Sequence, residues 1–264
     1  MIKMSEWKAY NELAWTEKFL GELSEYQEEV SVYVRLIFEY SAKSPKSMLH
    51  LGSGAGSHDR FFKKHFQVTG VDLSPGMQDL ARRANPEVEY IQGDMRTISL
   101  NKEYDVVAIP DSIDYMRTEN DLTLAIDNAV LHLKPGGVLL VVGKTREIFM
   151  NNNFAYSGYK NGVHVTLMEN NHVYPDQPDS YEAVFCYLIR QKGKLTIHTE
   201  QHLLGLFSEN QWTGVFKRAG MTMDQKPLTG IYDRYMLDQG EYPMIIFVGC
   251  KRPAKISAGP NLRA

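Results

Sequence analysis

Leu49-His50-Leu51-Gly52-Ser53-Gly54-Ala55-Gly56 closes a short apolar run and opens a helical one. Glycines at such a junction let the backbone approach a ligand with no Cβ in the way. A helix N-terminus then adds free amide donors. The spacing is G-x-G-x-G. A dinucleotide fingerprint wants a third glycine where Ser57 stands, which weakens a nicotinamide oxidoreductase reading. A phosphate-binding loop wants Gly-Lys-Ser/Thr after four spacers, and none follows. Asp72 ends the next apolar run, 20 residues after Gly52. A carboxylate there accepts both hydroxyls of a ribose. Gly93-Asp94-Met95 follows the third run; its Asp suits an exocyclic adenine amine and its Met the ring face. Each feature alone also reads plainly, as a glycine turn, a helix-capping acid and a simple turn. Together they sit at the carboxyl ends of successive strands, the edge where open α/β sheets bind ligands.

The elements that must position them alternate. Apolar runs at Ser47 to Leu51, Val68 to Val71, Val88 to Ile91, Tyr104 to Ile109 and Val138 to Val142 read as strands. Between them, helices are expected over His58 to Phe66, Ser74 to Ala84 and Asp121 to Leu133, with Lys134-Pro135-Gly136-Gly137 as a turn. That alternation predicts a parallel sheet with right-handed crossovers. Ahead of it, Ser24-Glu25-Tyr26-Gln27 reads as a capping box opening a helix over 24 to 42, stopped by Pro45. A less regular helix precedes it. After Gly143 the pattern changes to polar–apolar alternation at Val163 to Met168, Tyr181 to Arg190 and Leu195 to Leu204. The last two flank a hairpin signal at Gln191-Lys192-Gly193-Lys194. Ser208-Glu209-Asn210-Gln211 opens another helix, and Met244 to Val248 is a final strand.

The chain has 264 residues, 43% hydrophobic and 23% charged, which is ordinary globular usage. The net charge of −3 lacks the basic surplus that phosphate contacts demand, so nucleic acid is not expected as a partner. Two cysteines, Cys186 and Cys250, make neither a disulfide framework nor a four-cysteine zinc site. No metal-ligand spacing is evident, His164 and His172 included. The start has no apolar signal core, and Val138 to Val142 is far short of a membrane span. A cytoplasmic protein away from membranes is expected.

The combination resembles the class I S-adenosylmethionine-dependent methyltransferases. His50 to Gly56 matches that family's first motif. Val71-Asp72-Leu73-Ser74 with Met77 matches the second, Gly93-Asp94-Met95 the adenine-contacting loop, and Leu133 to Gly137 the segment before strand five. The resemblance implies an α/β, Rossmann-like, seven-stranded and mostly parallel sheet with its last strand antiparallel. It implies S-adenosyl-L-methionine as cofactor, held by His50, Gly52, Ser53, Gly54, Asp72, Leu73, Met77, Asp94 and Met95, with Tyr26 from the preceding helix. The expected division is an N-terminal helical lid over 1–45, a methyltransferase core over 46–145 and 205–252, a small antiparallel β insertion or substrate cap over 146–204, and a flexible tail over 253–264. One departure stands out. The family usually has Asp or Glu two residues before the first glycine, to help hold the methionine end of the cofactor; this chain has His50. Tyr26 or Asp111 is a candidate to compensate.

Strand four ends in Ile109-Pro110-Asp111-Ser112-Ile113-Asp114-Tyr115, without the motif of base-directed enzymes or a nearby cysteine. The insertion and the N-terminal helix resemble those of the small-molecule branch, which includes amino-sugar N-methyltransferases. In-line transfer to N or O of a small-molecule acceptor is therefore expected, by a monomer or homodimer. A non-catalytic module of the same fold that binds S-adenosylmethionine or S-adenosylhomocysteine is the alternative, kept open by His50. Catalytic candidates are Tyr10, Asp111 and His202. Substrate-binding candidates are Asp111, Tyr115 and Arg234. Each also has a structural reading: a packed tyrosine, a solvated loop acid, a half-exposed strand histidine.

Overall fold

The structure is a computed structural model and describes residues 7–251. Among the described residues, no helix is long and apolar enough to cross a membrane.

The elements run α1 (Leu23–Tyr40), β1 (Ser47–Leu51), α2 (Asp59–Phe62), β2 (Gln67–Asp72), α3 (Pro75–Ala84), β3 (Glu89–Gln92), β4 (Tyr104–Pro110), α4 (Glu119–Leu131) and β5 (Leu133–Gly143). Then come β6 (Asn152–Lys160), β7 (Val163–His172), β8 (Ser180–Gln191), β9 (Lys194–Gly205), α5 (Glu209–Arg218), β10 (Met221–Leu228) and β11 (Met244–Lys251). The main sheet has seven strands in the order β10-β11-β5-β4-β1-β2-β3. β1, β2, β3, β4 and β5 pair in parallel, and the last strand, β11, inserts antiparallel between β10 and β5. This is the expected fold.

Side chains of successive strand residues point to opposite faces. Met48, Val106, Val138 and Leu140 therefore join α1, α2 and α3 in one core, while Leu49, Val107, Leu139 and Val141 join α4 and α5 in the other. Covering both faces explains why these strands read as unbroken apolar runs. Ser74 caps α3 by accepting from the Met77 amide, with Pro75 in the first turn. Ser208 and Gln211 make the expected capping box of α5.

A second, four-stranded antiparallel sheet runs β6-β7-β8-β9. Lys192 and Gly193 both have positive φ, as the two-residue hairpin between β8 and β9 requires. The N-terminal segment packs on this sheet: Ala9, Leu13 and Phe19 share a core with Val163, Val165, Leu167, Tyr187 and Ile189. Gly158 lets it come close, since a Cβ there would stand 2.4 Å from the Phe19 carbonyl oxygen.

Several local expectations move. α1 begins at Leu23, not at a Ser24 box; the Glu22 amide donates to Glu25 at 3.0 Å and Ser24 Oγ turns back to Glu22. α1 ends at Tyr40, well before Pro45. The irregular early helix is a 3-10 turn over Ala14–Phe19. The helix expected through Phe66 keeps four α residues, because Lys64 and His65 donate three residues back, to Phe61 and Phe62. Residues 134–137 belong to β5, where Gly136 has φ +80° and a register shift absorbs the bend. The tail over 253–264 lies outside the described residues.

Candidate functional site

A cavity of about 910 Å³ opens at the carboxyl ends of β1, β2 and β4, between the main sheet, α1 and the inner face of the second sheet. That is ample for a cofactor and a small acceptor together. Its floor is the loop after β1. Gly52 has φ +73°, and a Cβ on it would meet Ser112 Oγ at 2.0 Å. Gly54 has φ +54° with nothing within 4 Å of a Cβ, so the backbone itself faces open space.

Asp72 locks this floor. Its carboxylate accepts the Gly54 amide at 2.8 Å and the Ser74 amide at 2.8 Å. Burial pushes the carboxyl above its usual range, against those two amides. A carboxylate offers about four acceptor positions, so these amides leave it able to accept from a ligand as well. Leu73, Met77, Asp94 and Met95 line the next stretch of wall. Burial raises the Asp94 carboxyl and Arg96 more than offsets it, leaving it below the usual range. Arg96 Nη2 lies 2.6 Å from Asp94 and Nη1 2.6 Å from Asp121. Ser53 Oγ is buried at the floor with no hydrogen-bond partner. An unsatisfied hydroxyl at the foot of an open glycine cradle fits a polar ligand seated there.

His50 does not reach the cavity wall. It is 1% exposed and its Nδ1 lies 2.6 Å from Asp59 Oδ1, while Asp59 Oδ2 accepts from the Tyr90 hydroxyl at 2.9 Å. His58 stands in front of it and contacts Glu29 of α1. Tyr26 lines the cavity and donates to Glu17 at 3.1 Å.

The opposite wall holds Tyr10, Tyr115 and, behind them, His202. The Tyr10 and Tyr115 hydroxyls are in direct contact, and Tyr115 reaches His202 Nδ1 at 2.9 Å. His202 is 1% exposed, is stacked by Trp7 at 4.2 Å, and turns Nε2 toward Glu200 at 3.5 Å. Glu200 accepts the Lys8 and Ala9 amides, both at 2.8 Å. Burial lowers the His202 pKa, only partly opposed by Glu200. A neutral ring leaves Nδ1 to accept from Tyr115. Burial raises both tyrosine pKa values, so both stay phenols. Three residues far apart in sequence thus form one hydrogen-bonded path.

Asp111 follows β4 with φ +61°, a strained conformation for a side-chain-bearing residue, and it is exposed at the cavity edge. Its Oδ1 is 3.3 Å from Lys144 Nζ. Lys144 pairs more closely with buried Asp114, at 2.7 Å, and Tyr181 donates to the same Asp114 oxygen at 3.0 Å. The Lys144 carbonyl accepts the Trp212 indole at 3.2 Å. Breaking a buried pair strands a charge, so Lys144→Met is expected to lower stability by about 3–5 kcal/mol in urea unfolding. Asp114→Leu in the same chain is expected to restore most of it; no loss in the single variant would show the pair to be solvated.

Arg234 lies away from the cavity wall and pairs with Glu25. Sequence reasoning missed Glu169 on β7, which lines the cavity and accepts from Asn171 at 2.8 Å. Burial pushes its carboxyl above the usual range. The only trace in the sequence is an acid within a strand-like stretch. Acids outnumber the Lys and Arg side chains of the lining, which are Arg96, Arg117 and Lys144.

Residues 48–137 match a family described as a methyltransferase domain. A dTDP-4-amino-2,3,4,6-tetradeoxy-D-glucose N,N-dimethyltransferase of Saccharopolyspora spinosa is 29% identical over 189 residues, covering 69% of this chain and 74% of its own. A dTDP-3-amino-3,6-dideoxy-alpha-D-glucopyranose N,N-dimethyltransferase of Streptomyces fradiae is 26% identical, covering 78% and 82%. Among solved structures, DesVI of Streptomyces venezuelae superposes with a TM-score of 0.74 at 25% identity, over 87% of this chain and 92% of its own. An S-adenosylmethionine-bound amino pentose methyltransferase of Micromonospora echinaspora shares the fold, with a TM-score of 0.72 at 21% identity over 91% and 95%. The glycine cradle, the buried Asp72 carboxylate and the antiparallel last strand therefore sit in a chain that carries a methyltransferase domain over residues 48–137 and uses S-adenosyl-L-methionine as its methyl donor.

Proposed function

We propose that this methyltransferase alkylates an amino nitrogen of a small, sugar-like acceptor. The observation that carries the reading is the wall opposite the glycine cradle, where acids and phenols surround the path from Tyr10 through Tyr115 to His202. The named activities of the relatives support it, since those proteins are amino-sugar N,N-dimethyltransferases.

An amine arrives from water as an ammonium. Glu169, Asp111 and Glu17 give it a negative chamber. It must then present a lone pair. The bound cofactor supplies an activated methyl on a sulfonium. Transfer from it would form N–C as S–C breaks, and the nitrogen would shed one proton each time. Tyr10 and Tyr115 pass that proton to His202 Nδ1, which burial keeps free to receive it. The sheet-packed N-terminal segment roofs the chamber and keeps bulk water out. Much of the acceleration comes from holding nitrogen in line with the methyl.

The test is mass spectrometry of products from a matched panel of amino sugars and their hydroxyl analogues, free and nucleotide-linked. Methylation confined to nitrogen is the expected result. Transfer to hydroxyls alone would overturn the reading.

A further inference from the structure

Position 50 poses a problem in electrostatics. The cofactor's amino-acid end carries an ammonium, and placing it in a cavity needs an anionic partner. His50 is no anion: its Nδ1 is taken up by Asp59, its Nε2 is buried without a hydrogen-bond partner, and the rings of Phe62 and His58 lie 5.7 and 6.1 Å from its own. Asp59 is wholly buried and spends its other oxygen on Tyr90. Neither residue lines the cavity.

Glu29 does line it, together with Gly52, Ser53, Gly54 and His58. Its side chain is only 2% exposed, so water scarcely reaches it, and its present counter-group is the His58 ring, whose pKa burial lowers and Glu29 and Asp59 raise by more. α1 brings it there because Val30, Tyr33, Val34 and Ile37 bury one helical stripe against the sheet, which fixes the rotation of the helix. His58 contacts one carboxylate oxygen, Oε2, and is itself anchored just past the glycine loop. A carboxylate accepts at about four positions, so His58 and the Tyr232 hydroxyl, which also hydrogen-bonds Glu29, leave room for a further donor.

We propose that Glu29, positioned by His58, binds the ammonium of the cofactor's amino-acid end and so replaces the acid absent at position 50. The anion has moved from the first strand to the helix that covers the site. The inference concerns the cofactor only and does not depend on the identity of the acceptor.

Calorimetric titration of the full chain with S-adenosylhomocysteine and with 5′-methylthioadenosine tests it. The second ligand keeps the adenosine and lacks the amino-acid end. Glu29→Gln is expected to weaken S-adenosylhomocysteine at least about 30-fold, the scale of a charge-assisted hydrogen bond, and to leave methylthioadenosine within about 3-fold. Glu29→Asp keeps the charge one methylene back and serves if the amide variant folds poorly; a smaller loss, again confined to S-adenosylhomocysteine, is expected. Unchanged S-adenosylhomocysteine affinity, or an equal loss for both ligands, would overturn the assignment. Binding of neither ligand by the unaltered chain would overturn the cofactor site itself, a separate failure.

Discussion

Asp72→Ala is expected to weaken S-adenosylhomocysteine binding by about 100-fold or more. The side chain has two duties. Toward the ligand it offers the acceptors left over for a ribose diol, and hydrogen bonds to a charged group contribute about 1.5–3 kcal/mol each. Toward the loop it accepts the Gly54 and Ser74 amides, both at 2.8 Å. Removing it is therefore expected to take away ligand contacts and to free the Gly54 amide, where φ is +54° and a Cβ would meet nothing within 4 Å. Asp72→Asn is milder. One oxygen takes the Gly54 amide and the other the Ser74 amide, so the amide keeps one of the two loop bonds and turns its NH2 against the other donor; the melting temperature is expected to fall, but by less than in the alanine variant. Affinity should still fall, by about 10-fold, because one acceptor becomes a donor pair and the negative charge is gone. Calorimetry measures both values. Affinity within about 3-fold in the alanine variant would remove Asp72 from the cofactor site.

Much of that site was legible because its parts are local. The glycine loop, Asp72 and Gly93-Asp94-Met95 each follow a strand, and each strand is a buried apolar run that period alone reveals. The cap of α3 is likewise a matter of adjacent residues, Ser74 and Pro75. What stayed hidden was assembled across the fold. Tyr10 and Tyr115 meet 105 residues apart, and Tyr115 meets His202 across 87; no spacing rule joins them. Each residue stands out on its own, but nothing in the sequence joins them into one path. Glu169 shares the face of Val165 and Leu167 on β7, so alternation alone turns it inward to the cavity; it is missed because the strand reads in the sequence as ending at Met168. β6 escaped because Asn152, Asn153, Ser157 and Gly158 dilute its alternation; pairing of all nine residues with β7 holds it. His50 shows the reverse error. The motif placed it at the ligand, whereas a buried pairing with Asp59 draws it one layer behind.

That long-range path carries the second large effect. His202→Gln is expected to lower kcat about 100-fold or more, within the range of a lost general base. Glutamine still offers a carbonyl to Tyr115 and fills most of the ring's space, so KM for the cofactor is expected to stay within about 2-fold. Tyr115→Phe cuts the same path one step earlier and should cost a similar factor, while the double variant should cost little more than either alone, because both interrupt one route. The pH profile distinguishes proton transfer from mere packing. Burial lowers the His202 pKa, with Glu200 opposing it, so the ring is neutral at pH 7 and gains a proton only below the usual histidine value of about 6.5. The parent kcat is therefore expected to fall as pH drops through that acid window, and the Gln variant to lose that limb. The same shift works on folding: the unfolded chain takes up a proton that the folded one resists, so stability also declines below about pH 6.5. Rates should accordingly be read over the pH range in which circular dichroism shows both proteins folded. A kcat within about 3-fold of the parent, or an acid limb unchanged in the Gln variant, would relieve His202 of the proton and leave alignment of the amine, under the roof formed by the N-terminal segment, as the whole of the catalysis.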